Sequence, residues 1–369
     1  MTYTKASAHA LLQRLTFRNL LLNTPSRLTI TTFNLFNYLE PPNAYYDFEN
    51  IYSFEEWTKK QGWIKSAIEK ADSDVIGFQE VFSPASLEAL VNEMGYPFFS
   101  VVDKPNVESD YLFRDPVVAI ASRYPIKQTQ SVTMSPQLLE QFQKPLLREF
   151  SFNRLPVHAT IELPHLGLTD CYVVHFKSQR PIEAEKPEKD AQRSAASPMH
   201  SDTLTQFHQQ ELGWWLSSVQ RGMEVQVLHE YITRQRHQTE RPVVLMGDFN
   251  KPLTSDEFKG LLNDSLNRNE ESRNWLKYFR LRDSWDLYHQ LHQEDLLVQR
   301  APTHYYGASG SVLDYILLSN EFDCQNSSSL MEITDYQVQD QHLINPSFEV
   351  DQFSTDHGVV SVTAHIRTF

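Results

Sequence analysis

Along the chain, short apolar runs repeatedly stop on polar residues. Val243 to Met246, bounded by Pro242 and Gly247, reads as a strand covered on both faces. Asp248 and Asn250 follow at its carboxyl end. In an extended chain residues i and i+2 point the same way, so both side-chain oxygens are expected to face one spot while Phe249 turns into the core. The same design recurs. Leu28 to Phe33 is a β-branched, alternating strand followed by Asn34, and Asp74 to Glu80 runs from apolar residues into Gln79 and Glu80. Phe98 to Val102 and Pro116 to Ser122 read as a strand pair, the second leading into Arg123. Val157 to Leu163 pairs with Cys171 to Phe176, which carries His175 and Lys177 at its end. Ser311 to Ser319 is a strand containing Asp314, and Ser354 to His357 precedes a closing strand from Val359 to His365.

Helical spacing fills the intervals. Ser53 and Glu56 form a capping box ahead of a stripe of Trp57, Ile64 and Ile68 that ends near Ala71. Ser83 and Pro84 open a second helix, capped by the serine and closed by Gly95. From Thr205 to Arg234, Leu212, Trp215, Val219, Met223, Val227 and Tyr231 recur at threes and fours, which predicts an apolar face on a long helix. Ser255 to Leu262 and Ser284 to Leu291 read as further helices, and residues 7–22 as a short amphipathic one. Residues 178–204, rich in proline and charge, read as a loop excursion, since strand and helix patterns resume on both sides. The pattern predicts a mixed α/β (α+β) chain with two β-sheets flanked by helices. At 369 residues the chain has room for two domains or for one large unit with insertions, and length alone does not choose.

Composition narrows the partners. The 369 residues carry 47 acids against 33 bases, a net charge of -14, so the overall field repels polyanions. A nucleic-acid substrate would need a local basic patch or a metal. Two cysteines, Cys171 and Cys324, are too few for a disulfide framework, and Cys171 lies in an apolar run that suits a buried free thiol. No stretch has the length of a membrane span, and the first 30 residues lack the uninterrupted apolar core of a signal peptide. These features predict a cytoplasmic location with no obligate protein partner.

Asn34, Glu80, His175, Asp248, Asn250, Asp314, Asp356 and His357 mostly fall at strand ends. Singly, each has an ordinary structural explanation. Together they supply oxygen donors for one hard divalent cation and imidazoles for proton transfer, and an all-oxygen donor set predicts no tight zinc site. A nucleophile elbow, a Walker loop, a paired-cysteine zinc pattern and His-Glu-x-x-His are all missing from the sequence.

In order, Phe33-Asn34, Gln79-Glu80, Ala119 to Arg123, Val174-His175, Gly247 to Asn250, Leu313 to Ile316 and Ser354 to His357 resemble the endonuclease/exonuclease/phosphatase superfamily, with the DNase I-like fold, over about residues 28 to 366. The resemblance implies an N-terminal extension over residues 1–27 and a single catalytic domain over residues 28–369, a two-sheet β-sandwich flanked by helices with the site in a cleft at the strand ends. It implies Asn34 and Glu80 as ligands of Mg2+ (or Mn2+), with Asp356 near or on the metal. His357 becomes the general base, oriented by Asp314. Asp248 and Asn250 position water and phosphate, while His175 contacts a phosphate oxygen or helps the leaving group. Lys177 and Arg123 are expected at the substrate. Phe36 departs from the pattern, standing where some nucleases carry a metal-binding acid. The implied partner is a phosphate-ester substrate, a nucleic acid or a small phosphodiester. The alternatives are a phosphomonoesterase of the inositol-phosphatase kind, a sphingomyelinase-like lipid phosphodiesterase, and an inactive binding protein that kept the fold.

Overall fold

A computed structural model describes residues 26–136, 138, 150–183, 199–262, 275–292 and 298–367. Twelve strands build the sandwich: β1 (Arg27–Tyr38), β2 (Val75–Val81), β3 (Phe98–Ser100), β4 (Val117–Ser122), β5 (Ile126–Ser131), β6 (Val157–Leu163), β7 (Gly167–His175), β8 (Val243–Asp248), β9 (Arg282–Asp283), β10 (Asp314–Leu318), β11 (Met331–Gln339) and β12 (Val359–Ile366). They form two six-stranded sheets, in the orders β11-β12-β1-β2-β4-β3 and β9-β10-β8-β7-β6-β5. The pairs β1/β2 and β7/β8 are parallel, and the remaining neighbours in these sheets are antiparallel.

That topology collects the chemistry. The carboxyl ends of β1, β2, β7 and β8 and the amino ends of β10 and β12 fall on one rim. Asp314 is the register partner of Asp248, and Asp248 of His175, so three adjacent strands put these side chains side by side.

The sheets pack through aliphatic side chains, among them Ile30, Val75, Ile120, Val173, Met246, Ile316 and Val362, all buried. Helix α1 (Phe54–Ala71) covers the outside of the first sheet with Trp57, Ile64 and Ile68, and both bonds of its predicted Ser53/Glu56 capping box are present. Helix α2 (Pro84–Glu93) lies on the same side, but Ser83 makes no side-chain cap. Its hydroxyl accepts instead from Glu40 N at 2.9 Å.

The long helix α3 (Met199–Thr239) backs the second sheet, and it starts six residues before the predicted Thr205. The expected stripe holds only in its second half. Val227 and Tyr231 are buried, whereas Leu212 and Trp215 are 57% and 67% exposed. Between residues 213 and 224 the inward face is Gly213, Ser217, Arg221 and Glu224. Ser217 Oγ donates to Arg180 O at 2.7 Å and Arg221 pairs with Glu257 at 2.9 Å, so partners in the 177–182 loop and in a following turn draw these polar side chains inward, with Arg221 Nε left without a partner. Residues 184–198 of the predicted excursion lie outside the described residues, as do 1–25 of the extension. Where helix Ser255 to Leu262 was expected, a 3-10 turn (Asp256–Phe258) leads into one α turn (Lys259–Leu262). No helix among the described residues is long and apolar enough to cross a membrane.

Candidate active site

Asp248 is the hub of the rim. Its Oδ2 accepts from Asn34 Nδ2 and from Asn250 Nδ2, each at 3.3 Å, and lies 3.3 Å from His175 Nε2 and 3.9 Å from His357 Nε2. Its Oδ1 accepts from Asn250 N at 2.8 Å. The strand ends at Asp248, and Asn250 reaches it through a left-handed turn with φ 56°, not by the alternation of an extended chain. Asn250 Nδ2 also donates to Phe176 O at 2.9 Å, while Phe249 is buried as the alternation predicted.

Behind the hub lies a buried imidazole–carboxylate pair. His357 Nδ1 and Asp314 Oδ2 are 2.8 Å apart, and Asp314 Oδ2 also accepts from Thr303 Oγ1 at 2.6 Å. Thr303 Oγ1 in turn accepts from Leu313 N at 3.0 Å. One nitrogen of His357 is thereby fixed on Asp314, and Nε2 faces Asp248 and Asp356, the latter at 4.0 Å.

The electrostatics follow from burial and neighbours. Burial alone would depress His357, but Asp314 and Asp248 beside it, with the Asp314 bond, hold it well above the ordinary histidine value. Burial raises Asp248 to about 7, against the pull of His357 and with the push of Asp314. His175, by contrast, is held well below its ordinary value by burial and then by the charges of Arg154, His357 and Lys177. The two imidazoles are therefore shifted in opposite directions.

On the other sheet, Asn34 Oδ1 accepts from Phe36 N at 3.0 Å and Glu80 Oε2 from Asn37 N at 2.9 Å. Asp356 Oδ1 is buried with no hydrogen-bond partner. Phe36, Asn37, Glu80 and Asn250 all have positive φ, at 51°, 56°, 60° and 56°, so backbone strain is concentrated at this rim. Asn34, Glu80 and Asp356 offer one amide and two carboxylate oxygens, a donor set that fits a hard divalent cation.

The structure does not bring every predicted residue here. Arg123 follows the far end of β4, where Ser122 pairs with Val75 at the start of β2. There it bonds Asp72 at 2.9 Å and stacks over Tyr96, at the opposite end of the first sheet from Asn34 and Glu80 and so away from the rim. Lys177 does follow His175, but its Nζ donates to Arg180 O at 2.9 Å and to Ser178 O at 3.2 Å, tying down its own loop. Burial and then Arg154 push Lys177 down to about 8.

Three side chains escaped the sequence reading. Arg154 bonds Tyr46 and lies close enough to His175 and Lys177 to shift both, yet its Nε and Nη1 are buried without a partner. Lys60 is buried, donates to Ser354 O at 3.3 Å and lies 5.7 Å from the Phe36 ring and 5.5 Å from that of Tyr52. Burial lowers it to about 8 against the charges of Glu80 and Asp356. His304 faces His357, with ring centroids 5.2 Å apart. Arg154 follows a loop and Lys60 sits within an ordinary amphipathic helix, so neither had a local signal. His304 borders a strand pattern that began only at Ser311.

A two-sheet sandwich whose strand ends gather carboxylates, carboxamides and imidazoles on one rim defines the DNase I-like class. The chain belongs to the Endonuclease/Exonuclease/phosphatase family, whose sequence profile matches residues 32–357. The three activities in that family name are all hydrolyses of phosphate esters. No curated protein matches the chain in sequence. Among solved structures, the human Nocturnin catalytic domain with bound sulfate anion is similar at 15% identity and a TM-score of 0.54, over 93% of this chain and 95% of that one. D. rerio TDP2 complexed with a single-strand DNA product is similar at 13% identity and a TM-score of 0.50, over 92% of this chain and all of the other. An endonuclease/exonuclease/phosphatase from Bacteroides vulgatus is similar at 13% identity and a TM-score of 0.50, over 92% and 99%. At these identities the likeness is one of fold.

Proposed function

We propose that the protein is a divalent-metal-dependent phosphodiesterase that hydrolyses its substrate by in-line attack of water. The observation that carries this reading is the buried His357–Asp314 pair at 2.8 Å, with Nε2 of His357 turned toward Asp248 and Asp356. Nε2 takes the proton from water, and the Asp314 carboxylate fixes the tautomer and stabilises the charged ring. Asp248 and Asn250 position the water and a phosphate oxygen. Neutral His175 contacts a second oxygen without adding charge. Asn34, Glu80 and Asp356 hold Mg2+, with Mn2+ as a substitute, and the orphaned Asp356 oxygen is the acceptor most in need of a cation. When bound, such an ion neutralises charge on the phosphate and on the leaving oxygen.

The net charge of -14 favours a short, single-stranded or small diester over long duplex DNA. A second reading, phosphomonoester hydrolysis, draws on Arg154, whose Nε and Nη1 are buried without a partner near His175 and suit the extra charge of a terminal phosphate. One ratio separates the two: rates on bis-nitrophenyl and mono-nitrophenyl phosphate at equal Mg2+. Faster diester cleavage supports the proposal, and a clear preference for the monoester overturns it. His357→Ala is expected to lower turnover by a factor of about 10² to 10⁴ with little change in thermal midpoint. A variant that loses its fold but not its turnover per folded molecule would make His357 structural.

A further inference from the structure

The oxygen donors considered so far leave out one neighbour, His304. It belongs to a short hairpin (His304–Tyr306 with Ser309–Ser311) that is tied to the segment before β12. His304 and His357 form an isolated antiparallel bridge, and Gly358 N donates to Thr303 O at 2.6 Å. The backbone therefore fixes the two imidazoles against each other, at 5.2 Å between centroids and a tilt of 52°. Two imidazoles bound tetrahedrally to one ion through Zn–N bonds of about 2.1 Å would have centroids roughly 5 Å apart. The centroid spacing already present matches the one such an ion requires.

A third donor completes the set. Ligand atoms of His304, Asp356 and His357 all lie within 4.8 Å of one another, with His357 Nε2 and Asp356 Oδ1 at 4.0 Å. That Asp356 oxygen is the buried acceptor without a hydrogen-bond partner. His357 also has the outer contact that metal-bound histidines use, since its other nitrogen is held by the Asp314 carboxylate. Bringing the three donors to ligand distance needs a contraction of about 1 Å, which the partly exposed His304 and Asp356 side chains supply by rotation.

We infer that His304, His357 and Asp356 form a binding site for a transition-metal ion of the zinc class, and that its occupancy arrests the enzyme. Two nitrogens and one carboxylate select zinc over magnesium, as Asn34 and Glu80 with their oxygens do not. An ion on Nε2 of His357 occupies the lone pair that takes the proton from water. This inhibitory consequence rests on the function proposed above, whereas the binding itself does not. The expectation of no tight zinc site followed from oxygen donors alone, and His304 changes the donor set.

The test uses the full chain, freed of metal by a chelator, dialysed and supplied with millimolar Mg2+. Zinc is titrated against a chromophoric zinc chelator, for the wild type and for His304→Phe and His304→Asn, with folding checked by circular dichroism. One zinc per wild-type chain is expected, with affinity at least tenfold weaker in both variants. On bis-nitrophenyl phosphate, zinc should inhibit the wild type over the same range in which it binds. Measured against its own zinc-free rate, each variant should need at least tenfold more zinc for inhibition. Equal zinc affinity in the wild type and both folded variants, or no stoichiometric binding by the wild type, would overturn the site. Stoichiometric, His304-dependent binding to a protein that cleaves no phosphate ester would leave the site standing and refute the function instead.

Discussion

Asp314→Asn probes the mechanism at the group that acts without touching substrate. The carboxylate is buried and makes two short bonds, to His357 Nδ1 at 2.8 Å and from Thr303 Oγ1 at 2.6 Å. An amide has the same shape, but only its oxygen accepts. Thr303 and His357 share the one oxygen, Oδ2, so if the amide oxygen takes that place His357 keeps its tautomer and loses the charge that stabilises its protonated form. If the amide nitrogen takes it instead, an N–H faces His357 Nδ1 and forces the proton onto Nε2, the nitrogen that must be free. Either outcome removes most of the base, and comparable changes in a histidine–carboxylate pair lower turnover by about 10⁴. A fall in kcat of about 10² to 10⁴ corresponds to about 2.7 to 5.4 kcal/mol of barrier. Asp314 is also a principal cause that raises His357, so its replacement should lower the pKa of His357. The rate of the wild type is expected to rise with pH as His357 loses its proton. In the variant the residual rate should reach its plateau at lower pH. The assay is bis-nitrophenyl phosphate hydrolysis with Mg2+ from pH 5 to 9, read as kcat and KM, beside a thermal melt. A folded variant within threefold of the wild-type kcat, with its acid limb unmoved, would refute the role given to Asp314.

Excess EDTA should abolish hydrolysis and added Mg2+ or Mn2+ restore it; full activity in the chelator would remove the metal from the reaction. Gly247→Ala tests the strand end that carries Asp248. Gly247 has φ 149°, and a Cβ there would lie 2.0 Å from Val174 O, so a loss of more than about 3 kcal/mol is expected by denaturant unfolding. A variant as stable as wild type would mean that β7 and β8 are further apart than described. Far from the site, burial lowers His229 to about 4. Below the unfolded-state value of about 6.5 the unfolded chain takes up a proton that the folded chain refuses. This contribution to stability is therefore present at neutral pH and declines from there toward pH 4, by no more than about 3 kcal/mol. His229→Gln should flatten that part of the stability profile, and an unchanged slope would dismiss the assignment.

The strand ends were readable in the sequence because an apolar run closed by a polar residue is a local signal, and the parallel pairs β1/β2 and β7/β8 turn that signal into shared position. Asn34, Glu80, His175, Asp248, Asp314 and His357 come together for this reason. Local pattern failed where partners are distant. The first half of α3 carries apolar residues around its circumference, so periodicity chose Leu212 and Trp215, while Arg221 and Ser217 were drawn inward by partners 36 and 37 residues away. Arg123 looked well placed beside a strand, but an antiparallel strand delivers its carboxyl end to the opposite rim. Arg154, Lys60 and His304 needed the tertiary structure to show what they face.

The left-handed backbone at Phe36, Asn37, Glu80 and Asn250 has a consequence for evolution in the laboratory. Glycine adopts that conformation at no steric cost, so at each of these positions it relieves about 1 kcal/mol or more of backbone strain. A selection for heat resistance alone would thus be drawn toward glycine at 36, 37, 80 and 250. At 80 and 250 each such step would erase a side chain of the proposed site. Thermostable variants gathered without an activity screen should therefore be enriched in folded, inert protein, and the positions where they gain glycine would trace the rim of the cleft.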